Sequence, residues 1–148
     1  ESEGESDVFG ASACLVGLKT RYDATSATDP SVRELYLQRK VIPFCPEQIG
    51  GLSTPRTKSE IARGTGEDVL DGKSAVLTED GADVTIQFLR GAEEVVRAAR
   101  ELGIQRFYLK SNSPSCGCGK IYRAGALING NGVCAAALVR AGIGVICV

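Results

Sequence analysis

Three cysteines stand at positions where soft-metal chemistry can take place. Cys14, Cys45 and Cys116 are far apart in the chain, and each follows an apolar run and precedes a turn containing glycine or proline. If those runs are parallel strands, the three thiols meet at one edge of the sheet. The chain contains no histidine, so three thiolates indicate a soft metal or an iron-sulfur cluster rather than magnesium or calcium. Three protein ligands would leave one iron atom open, as catalysis requires.

The other three cysteines are expected to be structural. Cys118 is close enough to Cys116 to compete as a ligand, but Gly117 between them would direct the two side chains differently. Cys134 falls in a predicted helix and Cys147 in the predicted last strand, so both are expected to be buried hydrophobic residues. A disulfide framework is the less favoured alternative, because a chain of 148 residues can bury a substantial core without cross-links.

Strands that alternate with helices must position these thiols. The predicted strands are residues 8–18, 41–44, 107–109 and 144–148, and the predicted helices are residues 31–39, 85–102 and 130–140. Residues 50–72 predict a surface loop with at most a short helix over 59–63, residues 74–84 a small hairpin, and residues 121–128 a weaker segment. The alternation indicates an α/β fold with a mainly parallel sheet and helices on both faces.

Composition is that of an ordinary globular domain. Hydrophobic residues make up 43% and charged residues 24%, and the net charge of -1 gives no general attraction to nucleic acid, so an RNA role would need a local patch. No apolar run approaches the roughly 18 residues that span a bilayer, and the acidic start differs from a signal peptide. A cytoplasmic protein is therefore expected. Residues 1–7 are interpreted as a leader, either disordered or left from expression, before a single domain over residues 8–148.

Six motifs, in the same order along the chain, resemble the thiouracil desulfidase family, long catalogued as a domain of unknown function. The resemblance covers nearly everything from Phe9 to Val148. The motifs are SACLVG (12–17), RYD (21–23), CPE with GGL (45–52), TPR (54–56), DVT (83–85) and SPSCG (113–117).

The resemblance implies a three-layer Rossmann-like fold and a 4Fe-4S cluster on Cys14, Cys45 and Cys116. It also implies non-redox desulfuration of a thiolated uracil to uracil. Thr20 stands where family members often carry a cysteine, which argues against a fourth protein ligand there. Residues 24–29 also depart from the family pattern, which usually has a glycine soon after the Asp of RYD.

The chemistry of such a substrate assigns roles to neighbouring residues. A thiocarbonyl sulfur is soft, so it would bind the open iron, which as a Lewis acid would make the ring carbon more electrophilic. Water must then lose a proton, and Glu47, two residues beyond Cys45, is the expected general base because histidine is absent. Ser113 or Ser115 would bond the ring nitrogen or relay its proton, with Ser113 narrowly favoured for catalysis.

A second group of residues is assigned to substrate binding on weaker grounds. It consists of Ser115 together with Arg21, Tyr22, Asp23 and Arg56, which belong to the family motifs. For the arginines and their neighbours, ordering of loops through ion pairs is the alternative role.

Three alternatives to a small-molecule desulfidase stay open. The substrate could be thiouridine within tRNA, although the near-neutral charge favours a free thiopyrimidine. A redox sensor or cluster scaffold would need only the cysteines. A structural zinc site would need no sulfide.

Overall fold

Short strands alternate with helices throughout residues 8–148, the part of the chain that this computed structural model describes. The predicted leader, residues 1–7, lies outside the described residues. The strands are β1 (Phe9–Ser12), β2 (Val41–Phe44), β3 (Ser59–Ile61), β4 (Val76–Thr78), β5 (Arg106–Leu109), β6 (Lys120–Arg123), β7 (Ala126–Asn129) and β8 (Gly144–Cys147). The helices are α1 (Pro30–Leu37), α2 (Pro46–Ile49), α3 (Gly66–Leu70), α4 (Thr85–Leu102) and α5 (Val133–Arg140), with a 3-10 helix over Ala13–Val16.

The central sheet has four strands in the order β2-β1-β5-β8. All of its pairings are parallel: Phe9 is opposite Val41, Gly10 is opposite Phe107, and Arg106 is opposite Gly144. The α/β prediction with a mainly parallel sheet is therefore confirmed. Two small antiparallel pairs, β3-β4 and β6-β7, lie outside this sheet.

Apolar side chains cover both faces of the sheet. On one face Phe88 of α4 and Leu138 of α5 pack in the same cluster as Phe107 of β5. On the other face Val32 of α1 packs with Leu15 of the 3-10 helix. Each such side chain contributes roughly 1.5–3 kcal/mol when fully buried, so the core fixes a helix-sheet-helix arrangement of three layers.

The longest helix, α4, has the bounds that the apolar spacing predicts. Its buried side chains recur three or four residues apart, and Gly103 ends it with a φ of 71°, a left-handed conformation that glycine adopts without steric cost. None of the helices within residues 8–148 is both long enough and apolar enough to cross a bilayer.

The first predicted strand is too long. β1 stops at Ser12, and the chain continues as the 3-10 helix, which Gly17 ends with a φ of 108°. Periodicity could not separate the two elements, because every residue of the 3-10 helix is buried and a fully buried run looks alike in either conformation. Cys14 therefore lies in a helical turn rather than at a strand end.

Residues 50–72 were predicted as a loop with at most a short helix over 59–63, and this prediction is wrong. They contain β3 and α3, and Thr65 and Asp68 form a capping box at the start of α3. The predicted hairpin over residues 74–84 reduces to one bridge between Leu77 and Asp83, since β4 pairs mainly with β3. Residues 121–128 form most of the β6-β7 hairpin.

Two predicted helix boundaries also shift. Asp29 caps α1 instead of Ser31, because its carboxylate accepts from the backbone N–H groups of Ser31 and Val32, and the helix ends at Leu37 rather than at residue 39. The last helix begins after Gly132, not within residues 130–132.

Cys118 and Cys147 form a disulfide. Cys147 is exposed, so the expectation that it is a buried hydrophobic residue is wrong. The pairing arises because β8 lies beside β5, which brings the loop that follows β5 to the end of β8. Cys134 is 1% exposed, as expected for a buried residue of α5.

Candidate active site

A cavity of about 340 Å³ opens beyond the carboxyl ends of the central strands. Cys14, Cys45 and Cys116 all line it. They come from the 3-10 helix after β1, the turn after β2 and the loop after β5, and these three strands are neighbours in the sheet. Parallel pairing thus brings together three thiols that are distant in sequence.

The three thiols lie in surroundings that disfavour an isolated thiolate. Burial raises the pKa of Cys14 and of Cys45, and raises that of Cys116 well above its ordinary value. Neighbouring thiols add to this, since Cys45 raises the pKa of Cys14, and Cys134, Cys14 and Cys45 each raise that of Cys116. A metal centre would supply the positive charge that stabilises three thiolates here.

The donor set fits an iron-sulfur cluster better than a single ion. Within residues 8–148, no three side chains of histidine, cysteine, aspartate or glutamate lie close enough together to hold one metal ion. A cluster separates its protein ligands more widely, because each thiolate binds a different iron atom. An assay of iron and acid-labile sulfide separates a cluster from the structural zinc site that the sequence left open.

The N-terminus of α5 holds the loop that carries Cys116. The backbone N–H groups of Val133 and Cys134 donate to the carbonyls of Pro114 and Ser115 at 2.8 and 2.9 Å. A Cβ atom at Gly132 would lie 2.6 Å from the Ser115 carbonyl oxygen, so only glycine permits this approach.

Close packing of α2 against α4 fixes the turn that carries Cys45 and Glu47. A Cβ atom on Gly91 of α4 would lie 1.9 Å from the Pro46 carbonyl oxygen, and one on Gly50 would lie 1.9 Å from the Gln87 carbonyl oxygen. The backbones therefore meet where both helices have glycine.

Glu47 divides its carboxylate between two partners. Oε1 accepts from Arg56 Nε at 2.8 Å, and Oε2 accepts from Ser115 Oγ at 3.1 Å. The side chain lines the cavity and is 13% exposed. The structure therefore places a carboxylate, joined to a hydroxyl, beside the three thiols.

The two serines before Cys116 have different surroundings. Ser113 Oγ accepts from the N–H groups of Ser115 and Cys116 at 3.0 and 3.1 Å, which is the bonding of a turn residue, and it lies 3.2 Å from Ser115 Oγ. Ser115 Oγ contacts Glu47 and also lies 3.8 Å from Cys116 Sγ. The contacts favour Ser115 as the hydroxyl that cooperates with Glu47, whereas the sequence narrowly favoured Ser113.

The residues assigned to substrate binding do not all reach the cavity. Arg21, Tyr22 and Arg56 line it, as does Ser115, but Asp23 is not among the lining residues. Asp23 is exposed and its carboxylate accepts from the backbone and hydroxyl of Thr25. The hydrogen bond from the Thr25 hydroxyl lowers the pKa of Asp23, and such bonding is typical of a local turn.

Comparison with known proteins identifies the family. Residues 9–148 match the model of the 2-thiouracil desulfurase family. The chain belongs to this family. The uncharacterized protein YbbK of Bacillus subtilis (strain 168) is 44% identical over 138 residues, which are 91% of each protein. A solved structure of a 4Fe-4S-dependent thiouracil desulfidase, TudS, is 38% identical, with a TM-score of 0.83 over 95% of this chain and 89% of that one. The family resemblance and the fold class are both confirmed.

Lys58, Lys110 and Tyr122 are among the cavity residues that the sequence prediction missed. Lys58 Nζ lies 5.8 Å from the ring centroid of Tyr22 and 5.7 Å from that of Tyr122, close enough for cation-π attraction. Lys110 directly follows β5, and its charge partly offsets the effect of burial on the pKa of Cys14. The place of Lys110 at a strand end was a usable signal in the sequence. Lys58 directly precedes β3 and Tyr122 lies in β6, and the apolar pattern did not predict the antiparallel pairs to which these strands belong.

Proposed function

We propose that this protein removes sulfur from a thiolated pyrimidine such as 2-thiouracil, forming uracil and hydrosulfide, at a 4Fe-4S cluster held by Cys14, Cys45 and Cys116. The observation that carries the proposal is the contact between Glu47 and Ser115 in the wall of the cavity that the three thiols line. Family membership and the likeness to the 4Fe-4S-dependent TudS support the substrate class and the cofactor.

The three thiols would hold the cluster, and Thr20 supplies no fourth thiol. An iron atom without a protein ligand would supply Lewis acidity toward the soft thiocarbonyl sulfur, which makes the attached ring carbon electrophilic. A cavity of about 340 Å³ lies at the small end of the range for ligand sites, roughly 300–1,000 Å³. This size suits a cofactor together with one small planar ring.

Glu47 and Ser115 provide the proton transfers. Water adds to the ring carbon as a C–O bond forms, and Glu47 takes the proton through Oε2. As the C–S bond breaks, the proton of the added hydroxyl passes to the departing sulfur, so that the uracil carbonyl forms and sulfur leaves as hydrosulfide, and the proton on Glu47 is released to solvent. Ser115, bonded to the same Oε2 atom, relays a proton between Glu47 and the ring nitrogen. The net reaction consumes water and requires no oxidant or reductant.

The test is hydrosulfide release by anaerobically reconstituted protein from a panel of thiolated bases and nucleosides. Glu47→Gln should lower kcat by at least about 100-fold while the iron content and visible absorption stay unchanged. Glu93→Gln, which alters an exposed carboxylate of α4, is the matched control. Full activity in Glu47→Gln would contradict the mechanism, and absence of turnover by a cluster-loaded wild type would favour the sensor or scaffold.

Thiouridine within tRNA is a second candidate substrate. Lys58 and Lys110 line the cavity, and neither forms a salt bridge with a carboxylate among residues 8–148. These local cations, which the net charge conceals, would favour a polyanion. Salt-dependent inhibition of 2-thiouracil turnover by tRNA would support this substrate, and indifference to tRNA would exclude it.

A further inference from the structure

Arg56 uses nearly all of its hydrogen-bonding capacity within the protein. Nε donates to Glu47 Oε1 at 2.8 Å, and Nη2 donates to the Thr20 carbonyl at 2.9 Å. Nη1 donates to Thr54 Oγ1 at 2.7 Å and to the Ser53 carbonyl at 3.2 Å. The side chain is 8% exposed. A guanidinium has five N–H donors, so little remains with which Arg56 could bind a substrate.

These bonds join three segments of the cavity wall. Thr20 belongs to the loop after the 3-10 helix, Glu47 belongs to α2, and Thr54 belongs to the loop before β3. The backbone N–H of Arg56 also donates to the Tyr22 carbonyl at 2.8 Å, so the residue is held at both its backbone and its guanidinium. A planar guanidinium fixed in this way sets the orientation of any carboxylate that it bonds.

The orientation matters because Glu47 has two oxygen atoms and only one of them reaches Ser115. The terminal torsion of a glutamate side chain is broad, so an unrestrained carboxylate plane can rotate until neither oxygen faces Ser115. The bond from Arg56 occupies Oε1 and leaves Oε2 facing the Ser115 hydroxyl. Arg56 therefore holds the carboxylate plane in the orientation in which one oxygen stays on Ser115 and can handle a proton.

Arg56 also supports the loop against which Cys45 packs. The Thr20 carbonyl accepts from Cys45 Sγ at 3.8 Å as well as from Arg56 Nη2. A thiolate that binds metal has no proton to donate, so Arg56 would then remain as the side-chain donor to this carbonyl.

We propose that Arg56 is a positioning residue that acts on desulfuration through Glu47, reserving Oε1 so that Oε2 stays on Ser115. This inference rests on the proposed function. The sequence suggested that Arg56 contacts the substrate. In this proposal Arg56 contacts Glu47 instead, and Glu47 acts on the reacting atoms.

A double-mutant cycle with Glu47 tests the proposal. Arg56→Met should lower kcat by roughly 100-fold, the cost of a misplaced catalytic group, while KM and iron content change by less than about twofold. Arg56→Lys should recover part of kcat, because an ammonium can bond Oε1 but cannot reproduce the fork. In a Glu47→Gln background, Arg56→Met should cause no further loss. Arg140→Met, which breaks an exposed pair with Glu67, is the matched control and should keep wild-type kcat.

Other results would overturn the inference. A raised KM and a full additional loss in the Glu47→Gln background would indicate a substrate contact. Loss of iron and of thermal stability without recovery in Arg56→Lys would indicate a purely structural residue. A wild type that releases no hydrosulfide would refute the proposed function itself. We expect the 3.1 Å contact between Glu47 and Ser115 to be lost in Arg56→Met. A crystal structure of this variant that keeps the contact would refute the positioning role of Arg56 and leave the proposed function standing.

Discussion

Replacing Ser115 by alanine removes the hydroxyl that joins Glu47 to the loop carrying Cys116, and we expect this change to act on turnover rather than on folding. Ser115 Oγ donates to Glu47 Oε2 across 3.1 Å, which is within reach for proton transfer. Ser113→Ala is the matched comparison, because it removes the same atom two residues earlier in the same loop.

The structure gives the two variants different expected costs. A positioned acid-base group contributes about 10²–10⁴-fold to rate, or about 3–5 kcal/mol of activation free energy, so kcat of Ser115→Ala should fall by about 100-fold or more. Ser113→Ala leaves two N–H groups without their acceptor. At about 0.5–1.5 kcal/mol each, this lowers the free energy of unfolding by about 1–3 kcal/mol and should change kcat by less than about tenfold.

Hydrosulfide release at saturating 2-thiouracil measures the first effect, and anaerobic urea unfolding of the same samples measures the second. Iron content must match the wild type in both variants, since Cys116 is adjacent. If Ser115→Ala turns over at the wild-type rate while folded Ser113→Ala loses turnover, the roles are reversed and the reasoning from contacts is wrong.

Three further predictions concern stability, each measured by urea unfolding against the wild type. Asp29→Ala should lower the free energy of unfolding by about 0.5–2 kcal/mol, because it removes the cap of α1. The hydrogen bond from the Ser31 hydroxyl lowers the pKa of Asp29 in the folded protein. The stability difference between wild type and variant should therefore be present above the unfolded pKa, near 3.8, and should vanish as pH falls through the lower folded pKa. Gly91→Ala should lower the free energy of unfolding by about 1–3 kcal/mol or more, because its Cβ would meet the Pro46 carbonyl. Gly144→Ala is the control, since its Cβ would come no closer than 3.4 Å to any atom beyond its neighbours in the chain, and equal stability of the two variants would contradict this packing. Cys147→Ser should lower the free energy of unfolding by about 3–4 kcal/mol, because it removes the cross-link between two residues that are 29 positions apart. Wild-type protein whose disulfide has been reduced should then have the same stability as the variant.

Local patterns predicted the elements whose side chains have one exposed and one buried face. Helix α4 shows this most clearly, because its burial repeats every three or four residues and Gly103 closes it. β2 was also predicted with its observed bounds, since Pro46 and the preceding helix delimit it. The 3-10 helix after β1 could not be predicted, because its residues are all buried and give no alternation.

Features that depend on long-range pairing lay beyond the sequence pattern. The partner of Glu47 was undetermined, since Ser113 and Ser115 are both 66 or more positions away and differ only in which way the loop turns them. The Cys118–Cys147 disulfide required the knowledge that β8 lies next to β5. The convergence of Cys14, Cys45 and Cys116 was accessible, because it follows from parallel strands alone.

The Mössbauer spectrum of anaerobically reconstituted protein, recorded with and without 2-thiouracil, tests the central claim most directly. Three thiolates on a four-iron cluster predict one iron site distinct from the others, with a signal that changes when the thiocarbonyl compound is added. A spectrum in which every iron is equivalent and indifferent to 2-thiouracil would contradict the account.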